Sequence, residues 1–345
     1  MKINERYEKK QHDLSNKAVY PKFPRIIKID ICNICNYACI FCPQAKQRGS
    51  DKKGCIDEKL FYHVVKDAYN AGAREICLSA TGEPLVNNNL EKYVQFVHDL
   101  GYEYIFFNTN GYLLTEERSK KIIDAGVDSV KFSINAGRKN YSLIHGVDGY
   151  DVVIENLKCF NDYRKLAKIK TGKECALSVS YIATAATLDE VDDVKKDVLP
   201  YVDDFMVMNA NNRGGSASEA EDKLFIGNDK YSYTYPCSQI FNNVYVTAEG
   251  YMVTCCQDFE NLTVVADLSK ESVVDGWNNE TFTNFRRKYL NHDLDGTLCV
   301  NCLGIKSNAE VIPICSDKAY YPIDENKEKD LNDRIEKLYE QIRKN

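Results

Sequence analysis

Residues 26–42, IIKIDICNICNYACIFC, combine a strand pattern with three cysteines at short intervals. The first seven residues are rich in isoleucine and predict a buried strand over 26–32. Cys35, Cys39 and Cys42 follow in the spacing C-x3-C-x2-C. Thiolates at these separations along one loop can converge on one soft metal centre. The stretch therefore predicts a strand that runs directly into a metal-binding loop.

Five further strands follow this one, and an amphipathic helix separates each strand from the next. The expected strands are 75–79, 104–107, 129–134, 176–183 and 204–208, and the expected helices are 57–70, 88–100, 115–125, 150–166 and 188–199. This alternation with short connections is typical of a parallel sheet covered by helices. A complete eight-unit barrel needs about 250 residues. We therefore predict an α/β fold, a partial, TIM-like (β/α)6 barrel that stays open.

The pattern changes after residue 208, where a loop-like segment begins, and we expect a domain boundary there. The expected parts are an N-terminal extension at 1–24, the barrel at 25–210, a cysteine-rich extension at 211–320 and a C-terminal amphipathic helix at 321–345. Within the extension we expect a hairpin from 243–247 and 251–254 and a polar helix at 279–290. In the barrel, Thr187 is expected to cap the helix at 188–199. The last helix, expected at about 328–343, has an apolar stripe of Leu331, Ile335, Leu338 and Ile342. This stripe predicts docking on the body of the protein, with a partner or dimer helix as the alternative.

Composition excludes several classes of protein. The chain has 345 residues, 14 cysteines, 44% hydrophobic residues and a net charge of −6. A negative net charge gives no indication of the basic surface that binding of nucleic acid requires. The charged N-terminus lacks the apolar core of a secretory signal, and no apolar run reaches the roughly 18 residues of a membrane span. We therefore expect a cytoplasmic protein whose cysteines stay reduced and do not form a disulfide framework.

The motif C-x3-C-x-aromatic-C, directly after the first strand of an α/β barrel, resembles the radical S-adenosylmethionine (radical SAM) superfamily. The resemblance implies a 4Fe-4S cluster on Cys35, Cys39 and Cys42, whose open iron chelates the methionine part of S-adenosylmethionine (SAM). It also implies reductive cleavage of SAM to a 5′-deoxyadenosyl radical, which abstracts a hydrogen atom from the substrate. Phe41 is placed beside the adenine by the same resemblance. Zinc binding or free thiols are the alternatives for these cysteines.

Three further motifs resemble the same family, and each follows a strand at the end where barrel enzymes build their sites. Gly82-Glu83-Pro84 matches the family's GGE element, with Thr81 replacing its first glycine, and implies that Glu83 holds the methionine amino group. Thr109-Asn110-Gly111 matches the family's TNG element. Ser133 and Asn135 lie where the family holds the ribose hydroxyls and the methionine carboxylate. Each of these motifs alone could be an ordinary turn or surface feature.

The C-terminal part contains a second group of cysteines. Their spacing resembles that of the twitch and SPASM domains of radical SAM enzymes, with Cys237, Gly250 and Cys255 followed by Cys299-x2-Cys302. The resemblance implies an auxiliary 4Fe-4S cluster on Cys237, Cys255, Cys299 and Cys302. Cys256 is the alternative to Cys255, because neighbouring residues in a strand point to opposite faces. Asn308 stands where a full SPASM domain has its next cysteine, so a second auxiliary cluster is not expected, and a four-cysteine zinc site is the alternative for this region.

The resemblance implies a class of chemistry but does not name the substrate. An auxiliary cluster suits oxidation of an alcohol to a ketone, or epimerisation in which a thiol such as Cys256 returns a hydrogen atom. Peptide-modifying members often carry an N-terminal recognition domain, and about 25 residues precede the first strand here. We therefore expect a small, carbohydrate-like substrate such as a sugar, an aminocyclitol or a nucleotide-linked sugar. Arg213, within Asn-Asn-Arg-Gly-Gly, is a candidate contact for a phosphate or carboxylate, and His145 and Tyr181 are candidates for the pocket without a defined role.

Two other functions are compatible with the sequence. A peptide-modifying enzyme of the kind that matures ribosomal peptides keeps the chemistry and changes the substrate. A non-catalytic metal-binding scaffold or redox sensor uses the cysteines without SAM chemistry. For the leading function the expected partners are a small-molecule substrate and an electron donor such as flavodoxin or ferredoxin, with no nucleic acid and no membrane. Whether SAM is consumed or regenerated, and the oligomeric state, stay open.

Overall fold

The computed structural model describes residues 6, 9–10, 13–47, 53–215, 218–226, 235–305, 309–319 and 323–344. Nine strands in these residues form one sheet. They are β1 (Ile26–Ile29), β2 (Glu75–Cys77), β3 (Tyr104–Thr109), β4 (Ser129–Ser133), β5 (Ala176–Ala183), β6 (Asp204–Asn209), β7 (Asn243–Val246), β8 (Tyr251–Val253) and β9 (Val264–Asp267).

Helices connect the first six strands and surround the rest of the sheet. In the barrel they are α1 (Glu58–Ala71), α2 (Leu90–Leu100), α3 (Glu116–Asp124), α4 (Tyr141–His145), α5 (Tyr150–Thr171) and α6 (Val191–Val198). Beyond β6 they are α7 (Ser218–Leu224), α8 (Gln239–Asn242), α9 (Val273–Asn278), α10 (Glu280–Leu290), α11 (Leu298–Leu303) and α12 (Glu325–Lys344).

The sheet has the order β6-β5-β4-β3-β2-β1-β7-β8-β9. Neighbours from β1 to β6 pair in parallel, as the strand–helix alternation predicts. β7 adds in parallel to the other edge of β1, with Ile27 beside Val244. β8 and β9 then turn back in antiparallel order. The fold is thus the predicted open (β/α)6 partial barrel, and its sheet continues without a break into the C-terminal extension.

Alternating burial within the strands separates two faces of the barrel sheet. In β1, Ile27 and Ile29 are completely buried, whereas Lys28 between them is only partly buried. In β4, Val130 and Phe132 are likewise completely buried on either side of Lys131. Successive side chains of a strand point to opposite faces. One face therefore packs against the helices, and the other, which carries the two lysines, lines the inside of the partial barrel.

Several boundaries differ from the sequence-based expectations. β1 ends at Ile29 and not at residue 32, because Cys32 instead forms an isolated antiparallel bridge with Cys55. Thr187 does not cap the helix that follows it, since its hydroxyl accepts the N–H of Thr184, and this helix begins as a 3-10 turn, Leu188–Glu190. Two barrel helices have side-chain N-caps: Asp57 before α1 accepts the N–H of Leu60, and Thr115 before α3 accepts that of Arg118. The strand β9 and the short helices α4, α9 and α11 were not predicted.

The C-terminal helix α12 lies across the barrel and contacts α4 and α7. Leu331, Ile335 and Leu338 of its apolar stripe are buried in this contact. The stripe is therefore covered by the body of the protein itself. None of the helices in the described part of the chain combines the length and hydropathy that a membrane span requires.

Candidate active site

The three cysteines of the first motif lie in one loop at the carboxyl end of β1. The N–H of Cys42 donates to the carbonyl of Cys39 at 3.0 Å, and the N–H of Tyr37 donates to the Cys35 sulfur at 3.4 Å. Burial raises the pKa of all three thiols, that of Cys35 to about 12. Because a metal binds the thiolate, loading this loop must release protons.

His145 is in direct contact with Cys39. Its Nδ1 lies 3.2 Å from the Cys39 sulfur, and its Nε2 accepts the N–H of Asn135 at 3.2 Å. A neutral imidazole carries its proton on one nitrogen only, so the acceptor role of Nε2 leaves Nδ1 as the donor to sulfur. Burial lowers the pKa of His145 to about 3, which keeps the ring neutral. Nothing in the sequence links His145 to Cys39, since 106 positions separate them.

Arg334 of α12 fastens the cysteine loop from the other side. Its guanidinium donates to the carbonyl of Ala38 at 2.8 Å and to the carbonyl of Leu143 at 3.0 Å. The residue is only 6% exposed, and its Nε donates to Asp330 at 2.9 Å. The C-terminal helix therefore holds both the loop and α4, the helix that ends with His145.

Gly82 allows the second motif to approach the cysteine loop closely. A Cβ at this position would lie 2.2 Å from the carbonyl oxygen of Cys32 and 2.7 Å from that of Ile34. The next residue, Glu83, donates its N–H to the carbonyl of Ile34 at 2.9 Å. Only glycine fits this contact, which joins the loop after β2 to the loop after β1.

The carboxylate of Glu83 connects the ends of β2 and β3. It accepts the hydroxyl of Thr109 at 2.7 Å, the N–H of Asn110 at 2.8 Å and the N–H of Leu85 at 3.1 Å. Burial raises the pKa of Glu83 to about 7, against the opposing effect of these hydrogen bonds. A carboxylate has about four acceptor sites, so one site is left for a further donor.

The other residues expected to bind SAM lie near the same loop. Asn110 donates its side-chain N–H to Asn36 at 2.8 Å and lies 4.0 Å from the Cys35 sulfur. Asn135 accepts the N–H of Ile182 in β5 at 2.8 Å, which fixes the orientation of its side-chain amide. Ser133 is half-buried at the end of β4, and Phe41 is buried in the core. In contrast, Tyr181 points away from this site and donates its hydroxyl to Thr187.

The second group of cysteines surrounds one cavity. Cys237, Cys255, Cys299 and Cys302 all line it, together with Ile240, Tyr289 and Leu298. Cys256 and Cys315 do not line it and pack instead against Tyr245, Val253 and Val264. Two of the four cysteines, Cys299 and Cys302, are on α11, a six-residue helix too short to show a periodic pattern in the sequence. No three potential metal ligands in the described residues are arranged to hold a single metal ion.

Arg213 lies in the loop after β6, which packs on α11, the helix of the second cysteine group. Its backbone is in the left-handed region, with a φ of 49°, and its N–H donates to the side chain of Asn211 at 3.2 Å. Burial raises the pKa of Cys42, and the charges of Arg213 and Lys53 oppose this effect. The loop after β6 therefore contacts the helix that carries two cysteines of the second group.

Two family models match the chain. That of the radical SAM superfamily matches residues 29–171, and that of the SPASM iron–sulfur cluster-binding domain matches residues 237–303. With the cysteine loop after β1 in the expected barrel, residues 29–171 belong to the radical SAM superfamily. Residues 237–303 form the SPASM iron–sulfur cluster-binding domain that follows the barrel. The predicted family and the C-terminal SPASM-type domain are confirmed, and both domains are of kinds that use the predicted cofactors, SAM and 4Fe-4S clusters. The chain spans less than half the length of the GTP 3′,8-cyclases that it matches.

Known proteins resemble the chain in sequence and in structure. A probable GTP 3′,8-cyclase of Saccharolobus islandicus is 32% identical over 133 residues, which are 38% of this chain and 42% of that relative. The SAM-dependent 2-deoxy-scyllo-inosamine dehydrogenase of Niallia circulans is 23% identical over 297 residues, covering 83% of this chain and 95% of the relative. The crystal structure of BtrN in complex with AdoMet and 2-DOIA has a TM-score of 0.56 at 18% identity, covering 88% of this chain and 99% of that one. The structural likeness shows a shared fold.

Proposed function

We propose that the chain cleaves SAM reductively at a 4Fe-4S cluster on Cys35, Cys39 and Cys42, and oxidises a small carbohydrate-like substrate with the help of an auxiliary cluster. The observation that carries this proposal is the position of the two cysteine sets on one sheet. The first set follows β1, and the second lines a cavity built from residues that flank β7 and β8. Because β7 pairs directly with β1, both sets belong to one rigid framework.

The donor atoms fit the two clusters. Three thiols in one loop leave one iron of a 4Fe-4S cluster without a protein ligand, which is the position that SAM needs. The cavity of the C-terminal domain offers four thiols, one for each iron of a closed cluster. We assign Cys237, Cys255, Cys299 and Cys302 to that cluster, and we give Cys256 no ligand role because it does not line the cavity.

When bound, the first cluster supplies the electron that cleaves SAM to a hydrogen-abstracting radical, and the auxiliary cluster takes up the electron left on the substrate. The protein's own residues bind and orient the reactants. The free acceptor site of Glu83 suits the methionine ammonium, and Thr109 and Asn110 hold that carboxylate in place through their hydrogen bonds. Ser133 and the side-chain NH2 of Asn135 lie at the end of β4, where they can bond the ribose.

The similarity to the 2-deoxy-scyllo-inosamine dehydrogenase supports a cyclic, hydroxylated substrate, since it extends over 83% of the chain. The match to the GTP 3′,8-cyclases covers only 38% of the chain. In an oxidation of this kind a C–H hydrogen atom, one electron and the hydroxyl proton leave the alcohol carbon and oxygen, and a ketone remains. We infer that this oxidation is the reaction of the chain.

The test is an anaerobic assay with the reconstituted enzyme, dithionite, SAM and fractionated small metabolites. We expect one fraction to stimulate formation of 5′-deoxyadenosine and to yield a product lighter than its substrate by two hydrogen atoms. A product of unchanged composition that carries deuterium from the solvent would indicate epimerisation instead. The control variant Cys39→Ala should form no 5′-deoxyadenosine, and equal formation in this variant and the wild type would contradict the proposal.

A further inference from the structure

Two cysteines that belong to neither cysteine set are in contact at the base of the first cysteine loop. The thiol of Cys55 donates to the sulfur of Cys32, and the two sulfur atoms are 3.0 Å apart. We propose that Cys32 and Cys55 form a reversible thiol–disulfide site, which a small-molecule disulfide such as glutathione disulfide oxidises to a cross-link. This inference goes beyond the proposed function and does not depend on the reaction or on its substrate.

The backbone places the two cysteines directly opposite each other, as partners in an isolated antiparallel bridge. Two backbone hydrogen bonds of 3.1 Å flank this bridge, from the N–H of Asn33 to the carbonyl of Gly54 and from the N–H of Ile56 to that of Ile31. Such flanking bonds define a non-hydrogen-bonded pair, in which the Cα atoms lie about 4.5 Å apart and the side chains approach most closely. A disulfide spans roughly 4.4–6.8 Å between Cα atoms, so the cross-link fits this backbone.

The two thiols differ in their access to solvent. Cys55 is exposed, whereas Cys32 is completely buried. An oxidant in solution therefore reaches Cys55 first, and Cys32 is the thiol that resolves the resulting mixed disulfide. Because a disulfide bond is about 2.05 Å long, the two sulfur atoms have only about 1 Å left to close.

The chemistry consists of two successive thiol–disulfide exchanges. The Cys55 thiolate attacks one sulfur of glutathione disulfide, whose S–S bond breaks, so that a mixed disulfide forms and one glutathione leaves. The Cys32 sulfur then gives up its proton and attacks the Cys55 sulfur, which forms the cross-link and releases the second glutathione. The two cysteines lose two electrons and two protons, and both pass to the two glutathione thiols. Excess reduced glutathione reverses both steps, as expected of a redox-sensing pair in a reducing compartment.

The cross-link would enclose the first cysteine loop. Residues 33–54 lie between the two cysteines and contain the whole of that loop. Cys32 also takes part in the close contact between the loops after β1 and β2, since a Cβ on Gly82 would lie 2.2 Å from the Cys32 carbonyl oxygen. Joining Cys32 to Cys55 covalently restricts the conformations open to the chain between them. We therefore expect oxidation to hold the two ends of the first cysteine loop together.

Peptide mapping of the oxidised holoenzyme tests the site without turnover. The holoenzyme, reconstituted with iron and sulfide, is incubated anaerobically with glutathione disulfide, alkylated with N-ethylmaleimide and digested for mass spectrometry. We expect a cross-linked pair of peptides that contain Cys32 and Cys55, lighter by two hydrogen atoms than the two peptides with free thiols. Treatment with dithiothreitol before alkylation should remove the cross-link.

Three variants show which thiol reacts and which resolves. Cys55→Ser should leave Cys32 reduced, and Cys32→Ser should stop at the mixed disulfide of Cys55 with glutathione. Cys159→Ser removes a half-buried thiol of α5 and should form the cross-link like the wild type. In the wild type, a lasting mixed disulfide at Cys55, a cross-link from either cysteine to another partner, or two unmodified thiols would each overturn the proposal.

Hydrogen exchange then measures what the cross-link does to the loop. We expect the amides of Asn33 and Ile56 to exchange about tenfold more slowly in the cross-linked holoenzyme than in the reduced one, because local opening is restricted. Exchange over the distant helix α3 should stay unchanged, and Cys55→Ser should show no effect of the oxidant. Equal exchange in the two forms of the wild type would overturn the proposal. Neither experiment measures a product, so both remain decisive if the proposed reaction is wrong.

Discussion

His145 contacts the sulfur of Cys39 in the first cysteine loop. We expect His145→Phe to lower the reduction potential of the SAM-binding cluster, because the N–H that donates to Cys39 stabilises the more negative, reduced cluster. A difference of about 1 kcal/mol between the redox states corresponds to about 45 mV for one electron, so a shift on the order of 50 mV is expected. Redox titration followed by electron paramagnetic resonance measures this shift.

The matched control for His145 is Tyr141→Phe. The centres of the Tyr141 and His145 rings lie 4.3 Å apart, and the Tyr141 hydroxyl pairs with the hydroxyl of Tyr37. Among the described residues no hydrogen bond joins Tyr141 to the Cys39 sulfur. We expect the potential of this variant to equal that of the wild type. Equal shifts in both variants would mean that packing, and not the hydrogen bond to sulfur, sets the potential.

We expect the carboxyl of Glu83 to make SAM affinity depend on pH. Burial raises its pKa to about 7, so the group is largely protonated at pH 6 and ionised at pH 8. Only the ionised form attracts an ammonium, and the affinity for SAM should therefore rise with pH, by about tenfold between pH 6 and 8. Calorimetric titration with SAM measures this change. Glu83→Gln should bind weakly at both pH values, whereas Glu116→Gln, at an exposed position, should keep the full pH dependence.

At the residue scale, local motifs in the sequence predicted the cysteines and Glu83, because their spacing along one loop or after one strand carries the chemistry. The hydrogen bond from His145 to Cys39 could not be predicted, since it joins two segments 106 positions apart. That Lys28 and Lys131 share the inner face was also not predicted, because it follows only from the register of four strands.

Among the elements, the turn after β2 depends on the absence of a side chain at Gly82. We expect Gly82→Ala to destabilise the protein by about 1–3 kcal/mol, because the added Cβ would meet two backbone oxygens of the cysteine loop. The variant should also retain less iron after reconstitution. Thermal unfolding and iron analysis measure both effects. Gly54→Ala is the control, since no heavy atom lies within 4 Å of its added Cβ, and equal losses in the two variants would contradict this account.

The helix α12 holds the cysteine loop through Arg334. We expect Arg334→Met to increase hydrogen exchange over 35–42 and over α4, because hydrogen bonds to the carbonyls of Ala38 and Leu143 are lost. Each such charged hydrogen bond contributes about 1.5–3 kcal/mol. Hydrogen exchange followed by mass spectrometry resolves these segments. Arg343→Met, at the exposed end of the same helix, should leave both unchanged, and protection of the loop in Arg334→Met equal to the wild type would show that α12 does not hold it.

At the element scale, periodicity predicted the six strands and five main helices of the barrel, because each has one face that packs and one that does not. The pairing of β7 with β1 was missed, since more than 200 residues separate the two strands. The helix α11 was missed because six residues do not establish a period. Short elements and distant pairings depend on the packing of the whole chain.

In the molecule as a whole, one continuous sheet connects the elements that carry the two cysteine sets. The first cysteine loop lies at the carboxyl ends of the parallel strands, the end at which barrel enzymes build their sites. The extension joins the same sheet through β7, which pairs beside β1. This architecture gives the two sets a fixed relative position.

Iron analysis after anaerobic reconstitution tests the central claim of two separate clusters most directly. The account predicts about eight irons in each wild-type chain, as two four-iron clusters. Replacing Cys35, Cys39 and Cys42 together with alanine should leave about four irons and abolish SAM binding. Replacing Cys237, Cys255, Cys299 and Cys302 together should also leave about four irons but retain SAM binding. Zinc in place of iron, or an unchanged iron content in either variant, would contradict the account.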